Sequence, residues 1–135
     1  MSDLGIGLGR SRELQQIDAA IVMHSQWITE LKIAIEDGSS KFDPEVVATD
    51  NRCEFGKWLY DGFPRDAKIG GSFEPIRETH AAFHRTAAEI LRLALSGDAE
   101  AALTKMSLQA EFMQLSSRLI FLLKELRVKS ASPPR

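Results

Sequence analysis

Cysteine is nearly absent from the chain: Cys53 is its single example among 135 residues, and histidine is almost as scarce, at three. One cysteine cannot close an internal disulfide, which excludes the small stapled scaffolds of secreted domains and leaves a thiol for metal or redox chemistry. No apolar run approaches the length that spans a bilayer, and the opening MSDLGIGLGR lacks the basic-then-apolar pattern of a secretory signal. The chain therefore reads as cytoplasmic, with no membrane partner. Excess charge of either sign is also missing. A formal net charge of -2, with 27% charged and 44% hydrophobic residues, argues against disorder and against electrostatic binding of nucleic acid. Function must come from a site within one modest core.

What is present is helical periodicity. From Ser11 to Glu36, Leu14, Ile17, Ile21, Ile28, Leu31 and Ile35 recur at spacings of a packed helical stripe, with His24 in the one gap. DGSSKFDP ends that stripe, and Asp43-Pro44 predicts a short helix to about Ala48. DNRCEFGKWLYDGFP predicts a second short helix carrying Cys53, followed by the loop RDAKIGGS. A long helix is expected from Phe73 to Leu95, capped by Ser72, with Phe73, Ile76, His80, Ala87, Leu91 and Ala94 on one face and His84 on or beside it. After the SGD corner at 96–98, a third long helix is expected from Ala99 to Val128, with Leu108, Phe112, Leu115, Leu119, Leu122 and Leu126 in register. Strand-like alternation is scarce. The fold class is all-α: a four-helix-bundle-like assembly of three long helices plus one or two short ones in the middle crossover, over residues 11–128, between a flexible N-terminus at 1–10 and a disordered tail at 129–135.

The chemistry-bearing residues are few enough to weigh one by one. HAAFH at 80–84 sets His80 and His84 one turn apart on the same helix surface, a spacing that suits one ion and that ordinary histidines also share. Ala81 stands where HExxH hydrolases carry their glutamate, so a metal-dependent hydrolase would lack its base. His24 inside an apolar stripe must be hydrogen-bonded or coordinated, and a core histidine on a backbone carbonyl satisfies that as well as a ligand does. Cys53 alone reads as a small buried hydrophobe more readily than as a ligand. Taken together, three histidines and one thiolate make the donor set of a closed tetrahedral zinc site, drawn from three segments. Phe55, Trp58, Phe83 and Trp27 would wrap it, and Asp50 and Asp61 are candidate acceptors for imidazole N–H groups. Apolar residues beyond one stripe, Val22 and Trp27 in the first long helix and Met113, Ile120 and Leu123 in the last, point to a helical homodimer.

One histidine in a first long helix, then CEFGKWLYDG, then HAAFH in the next, resembles the chemoreceptor zinc-binding family, whose hallmark is a Cys-x-(Leu/Phe)-Gly-x-Trp segment. Cys53, Phe55, Gly56 and Trp58 match that segment; His24 matches the upstream ligand and His80 and His84 the downstream pair. The resemblance runs from about residue 15 to 127. It implies a bacterial cytoplasmic sensor domain, non-enzymatic, with a three-histidine, one-cysteine zinc site in a commonly homodimeric helical bundle. It further implies a regulated partner, either a chemoreceptor signalling region or a diguanylate cyclase, with zinc or hypochlorous acid oxidation of the bound cysteine as the signal. Neither receptor coiled coil nor cyclase follows residue 128, so the expectation is a stand-alone member or an excised domain. The residues alone leave open a structural helical dimerisation domain with a stabilising zinc.

Overall fold

The computed structural model describes residues 4–64 and 69–131, with side chains from residue 12 onward. Its elements run α1 (Leu4–Asp37), α2 (Pro44–Val47), α3 (Glu54–Asp61), a single 3₁₀ turn (Gly70–Ser72), α4 (Phe73–Leu95), α5 (Ala99–Lys105) and α6 (Glu111–Ala131). No strand occurs among the described residues, and none of their helices is long and apolar enough to cross a membrane.

The three long helices α1, α4 and α6 pack on one another. Ile17 and Leu31 of α1, Ile76, Phe83, Ile90 and Leu91 of α4, and Phe112, Leu119, Leu123 and Leu126 of α6 are fully buried between them. Ala20 and Ala34 on α1 and Ala87, Ala88 and Ala94 on α4 are buried as well. Small side chains there let the helix axes approach closely. The short helices close the open sides: α2 lies on α4, α3 against α1 and α4, and α5 against α4 and α1.

Local signals explain most boundaries. Asp43 caps α2, its carboxylate accepting from Glu45 N at 2.9 Å, with Pro44 in the first turn. Gly97 turns the α4–α5 corner at φ +87°, a conformation that a side chain disfavours, and Asp98 then caps α5 by accepting from Ala101 N. Ser72 precedes α4 but does not cap it through its side chain; its hydroxyl instead accepts from Lys129 Nζ at 3.1 Å.

Three expectations about extent are corrected. The first long helix begins at Leu4 rather than Ser11. The last runs through Ala131, beyond the expected end at Val128, and the tail residues 132–135 lie outside the described residues. The expected continuous helix from Ala99 is two helices, broken at residues 106–110 by tight i to i−3 bonds from Met106 N to Leu103 O and from Ala110 N to Ser107 O. The cause is phase. Ala102 and Met106 face inward four residues apart, but an unbroken helix would place buried Phe112 about 120° around the axis from Met106. The break resets the register, leaving Leu108 81% exposed and making Phe112, Ser116, Leu119, Leu123, Leu126 and Ser130 the buried face. Leu123, expected among the surplus apolar residues, is therefore core.

Candidate metal centre

His24 lies on the inner face of α1, one turn beyond Ala20, and is 2% exposed. His80 and His84 project from the inner face of α4, at 0% and 4%. Cys53 comes to them from the N-cap of α3, where its sulfur accepts the Gly56 N–H at 3.3 Å. A sulfur in that position meets the positive end of the helix, which favours its thiolate form. Gly56 is required by packing. A side-chain carbon built there would lie 1.9 Å from the Asp50 carbonyl oxygen, so only glycine lets the 50–53 segment fold back on α3 and aim Cys53 inward.

The four residues meet. One ligand atom from each of His24, Cys53, His80 and His84 lies within 4.8 Å of every other. Cys53 Sγ is 3.4 Å from His80 Nε2 and 3.7 Å from His84 Nε2, and the two Nε2 atoms are 3.0 Å apart. A tetrahedral zinc with N and S ligands at their usual bond lengths holds N–N pairs about 3.3 Å and N–S pairs about 3.6 Å apart. The three pairs among Cys53, His80 and His84 have that size.

Hydrogen bonds to the far side of the rings set their polarity. His24 Nδ1 lies 2.7 Å from the Ala20 carbonyl oxygen and His84 Nδ1 2.9 Å from that of Val47. A carbonyl only accepts, so each Nδ1 carries the proton and a neutral ring presents its Nε2 lone pair to the cluster. His80 Nδ1 is buried and, among the described residues, without a partner. Lone pairs and a sulfur converging at the centre of a buried site suit a cation, and the donor set fits zinc. The expected acceptors Asp50 and Asp61 do not serve: Asp61 is exposed, and the Asp50 carboxylate accepts from the Tyr60 hydroxyl. Backbone carbonyls do that work, and nothing in the side-chain sequence marks Ala20 or Val47 for it.

Burial sets the protonation of the metal-free site. It lowers His24 to about 4, against the opposing pull of the Ala20 carbonyl, and lowers His80 to about 2, with neighbouring His84 and His24 adding to the effect. His84 is lowered by burial too, partly offset by its bond to Val47. Burial raises the Cys53 thiol, more than the Gly56 N–H lowers it. At neutral pH the three rings are neutral and able to donate to a metal, and the thiol would have to lose a proton to do the same.

Aromatic rings wall the cluster. Phe55 packs edge-on to His24 and His80 at centroid distances of 5.9 and 5.1 Å, and Phe83 to His24 and His84 at 5.3 and 5.8 Å. Trp58 stands behind Phe55 at 5.8 Å, while Trp27 packs on Phe42. Of the four expected wrapping residues, Phe55 and Phe83 form the wall.

An all-helical bundle with a buried three-histidine, one-cysteine cluster defines a class of metal-binding helical domain. The profile of the chemoreceptor zinc-binding domain matches residues 24–91, half the chain, and its span contains all four cluster residues. The chain belongs to the chemoreceptor zinc-binding family, and zinc is its metal. Neither a curated protein nor a solved structure matches it.

Proposed function

We propose that this domain is a sensory zinc module in which His24, Cys53, His80 and His84 ligate one zinc, and that changes in zinc supply or oxidation of Cys53 are its signal. The observation that carries the reading is the position of Cys53: the sole anionic donor is the N-cap of a short helix whose other attachments to α4 are few. Three neutral imidazoles and one thiolate leave the site at a formal charge of +1, so a single sulfur supplies its anionic donation. Bound zinc keeps that sulfur deprotonated and nucleophilic at neutral pH. Conversion of Cys53 to a sulfenic acid removes the donor, and the segment from residue 50 to 62 then loosens from α4 while the three histidines retain the ion more weakly.

The output of such a change is regulation of a chemotaxis or cyclic-di-GMP signalling partner in the cytoplasm, by a domain acting as a homodimer. The family description, which names chemoreceptors, supports this reading. A non-enzymatic role accords with the cluster itself: four N and S donors meet with no carboxylate among them in the described residues, and a hydrolytic site needs an open position and a base.

Backbone amide exchange tests the proposal. Exchange at residues 50–62 is expected to be slow with zinc, faster after chelation, and faster after near-equimolar hypochlorite, with mass spectrometry placing one oxygen on Cys53. An unmodified Cys53 with oxidised methionines, or unchanged exchange after sulfenylation, would remove the redox switch and leave a plain zinc sensor or a structural site.

A further inference from the structure

A small opening separates α1 from the start of α3. Its floor is His24 and Cys53; exposed Ala19, Met23 and Glu54 form its rim, with Met23 49% exposed. The volume is about 20 Å³. A single water needs about 10–15 Å³ of the same measure, so one small molecule fills the space. On the other sides the sulfur faces His80, His84 and the Gly56 N–H, all within the protein.

From this we infer that the α1–α3 opening is a size filter, admitting small neutral hydroperoxides or hypohalous acids to Cys53 and excluding bulky hydroperoxides and disulfides. The inference rests on the redox reading above and narrows its reagent. Met23 sets the width, being the largest side chain on the exposed rim. Glu54, in the first turn of α3, places a carboxylate at the mouth and disfavours anionic reagents such as glutathione disulfide. With hydrogen peroxide, the electron pair of the Cys53 thiolate attacks one oxygen. The S–O bond forms as the O–O bond breaks, and hydroxide leaves and takes a proton from solvent to become water. Sulfur is oxidised by two electrons, the peroxide is reduced by two, and the product is a sulfenic acid. Cys53 is the chain's single cysteine, so no second thiol of the same chain condenses with the sulfenic acid; a bulky external thiol meets the same narrow opening, and the sulfenic acid persists long enough to be read.

The test compares two reagents with the same chemistry and different bulk, hydrogen peroxide and tert-butyl hydroperoxide, on the zinc-loaded full chain, with the chain unfolded in urea as reference. Sulfenylation at Cys53 is followed by mass spectrometry. The preference for hydrogen peroxide is expected to exceed that of the unfolded chain by about tenfold or more, since access controls thiol oxidation in the folded state. Met23→Ala should bring the preference back toward the unfolded value. Ala19→Phe, at an exposed position, should slow both reagents. Zinc content and helical circular dichroism are recorded for each variant, so that a loss of fold is recognised. If wild type and both variants share the preference of the unfolded chain, the filter is overturned while the redox reading stands. Should the folded wild type react with neither reagent when the unfolded chain reacts with both, the opening admits no hydroperoxide and the filter is overturned, while the redox reading is decided separately by the hypochlorite experiment above.

Discussion

Cys53 Sγ lies 3.4 Å from His80 Nε2, although the two residues are 27 positions apart in the chain. The contact joins the irregular crossover to the helix that shares the core with both α1 and α6. Removing the sulfur should therefore affect metal binding and the crossover together. Cys53→Ser is expected to weaken zinc by at least about tenfold, since an alcohol replaces the one anionic donor. A competition titration with a zinc-chelating dye measures it, and affinity equal to wild type would exclude Cys53 as a ligand.

The pH dependence follows from the protonation of the metal-free site. Burial holds the Cys53 thiol above its ordinary range and the histidines below theirs, so at pH 7 to 8 zinc uptake displaces about one proton, from sulfur. Apparent affinity should rise about tenfold per pH unit there. Calorimetry in buffers of different ionisation enthalpy gives the proton count; a count near zero would mean that a preformed thiolate or no thiolate takes part.

Metal-free protein should also be acid-sensitive. An unfolded histidine titrates near 6.5, whereas His24 is held near 4, so between those values the unfolded chain binds more protons than the folded one. Stability from this group is present above about pH 6.5 and is lost as pH falls toward 4, by about 3 kcal/mol at the full shift. Urea melts at pH 7 and pH 5 should separate accordingly, and His24→Gln should narrow the difference.

Gly56→Ala tests whether the crossover backbone aims the sulfur. The added carbon would meet the Asp50 carbonyl at 1.9 Å, so the 50–53 segment must move. Weaker zinc binding is expected with the long helices intact, read by dye competition and circular dichroism. Wild-type affinity would show that Cys53 reaches the site without this close packing.

The long helices and their inward faces were legible because their apolar spacing is dense; Ile76, His80, Ala87, Leu91 and Ala94 all lie where periodicity sets them. The convergence of His24, Cys53, His80 and His84 was legible too, because these are the chain's only histidines and cysteine. The break at 106–110 was not. MSLQA holds no glycine or proline, and the cause is the phase between Met106 and Phe112, a tertiary demand that a single stripe of leucines conceals. The Ala20 and Val47 carbonyls were invisible for a different reason: every residue has a carbonyl, and only the fold selects which ones face an imidazole.

Self-association should be measurable. Val22 and Ile33 of α1 and Phe121 and Val128 of α6 are exposed, apolar and on helices that pack side by side. A homodimer formed through these helices is expected to sediment at twice 15.0 kDa at micromolar concentration, and Phe121→Glu to shift it toward monomer. A wild-type species of 15.0 kDa alone would contradict it.

Elemental analysis of the protein purified without added metal bears most directly on the site. A single zinc ion per chain is expected in the wild type, falling to near zero when His80 and His84 are both replaced by alanine, since two of four donors are then gone. Zinc near zero in the freshly purified wild type, or full zinc in the double variant, would contradict a centre built from His24, Cys53, His80 and His84.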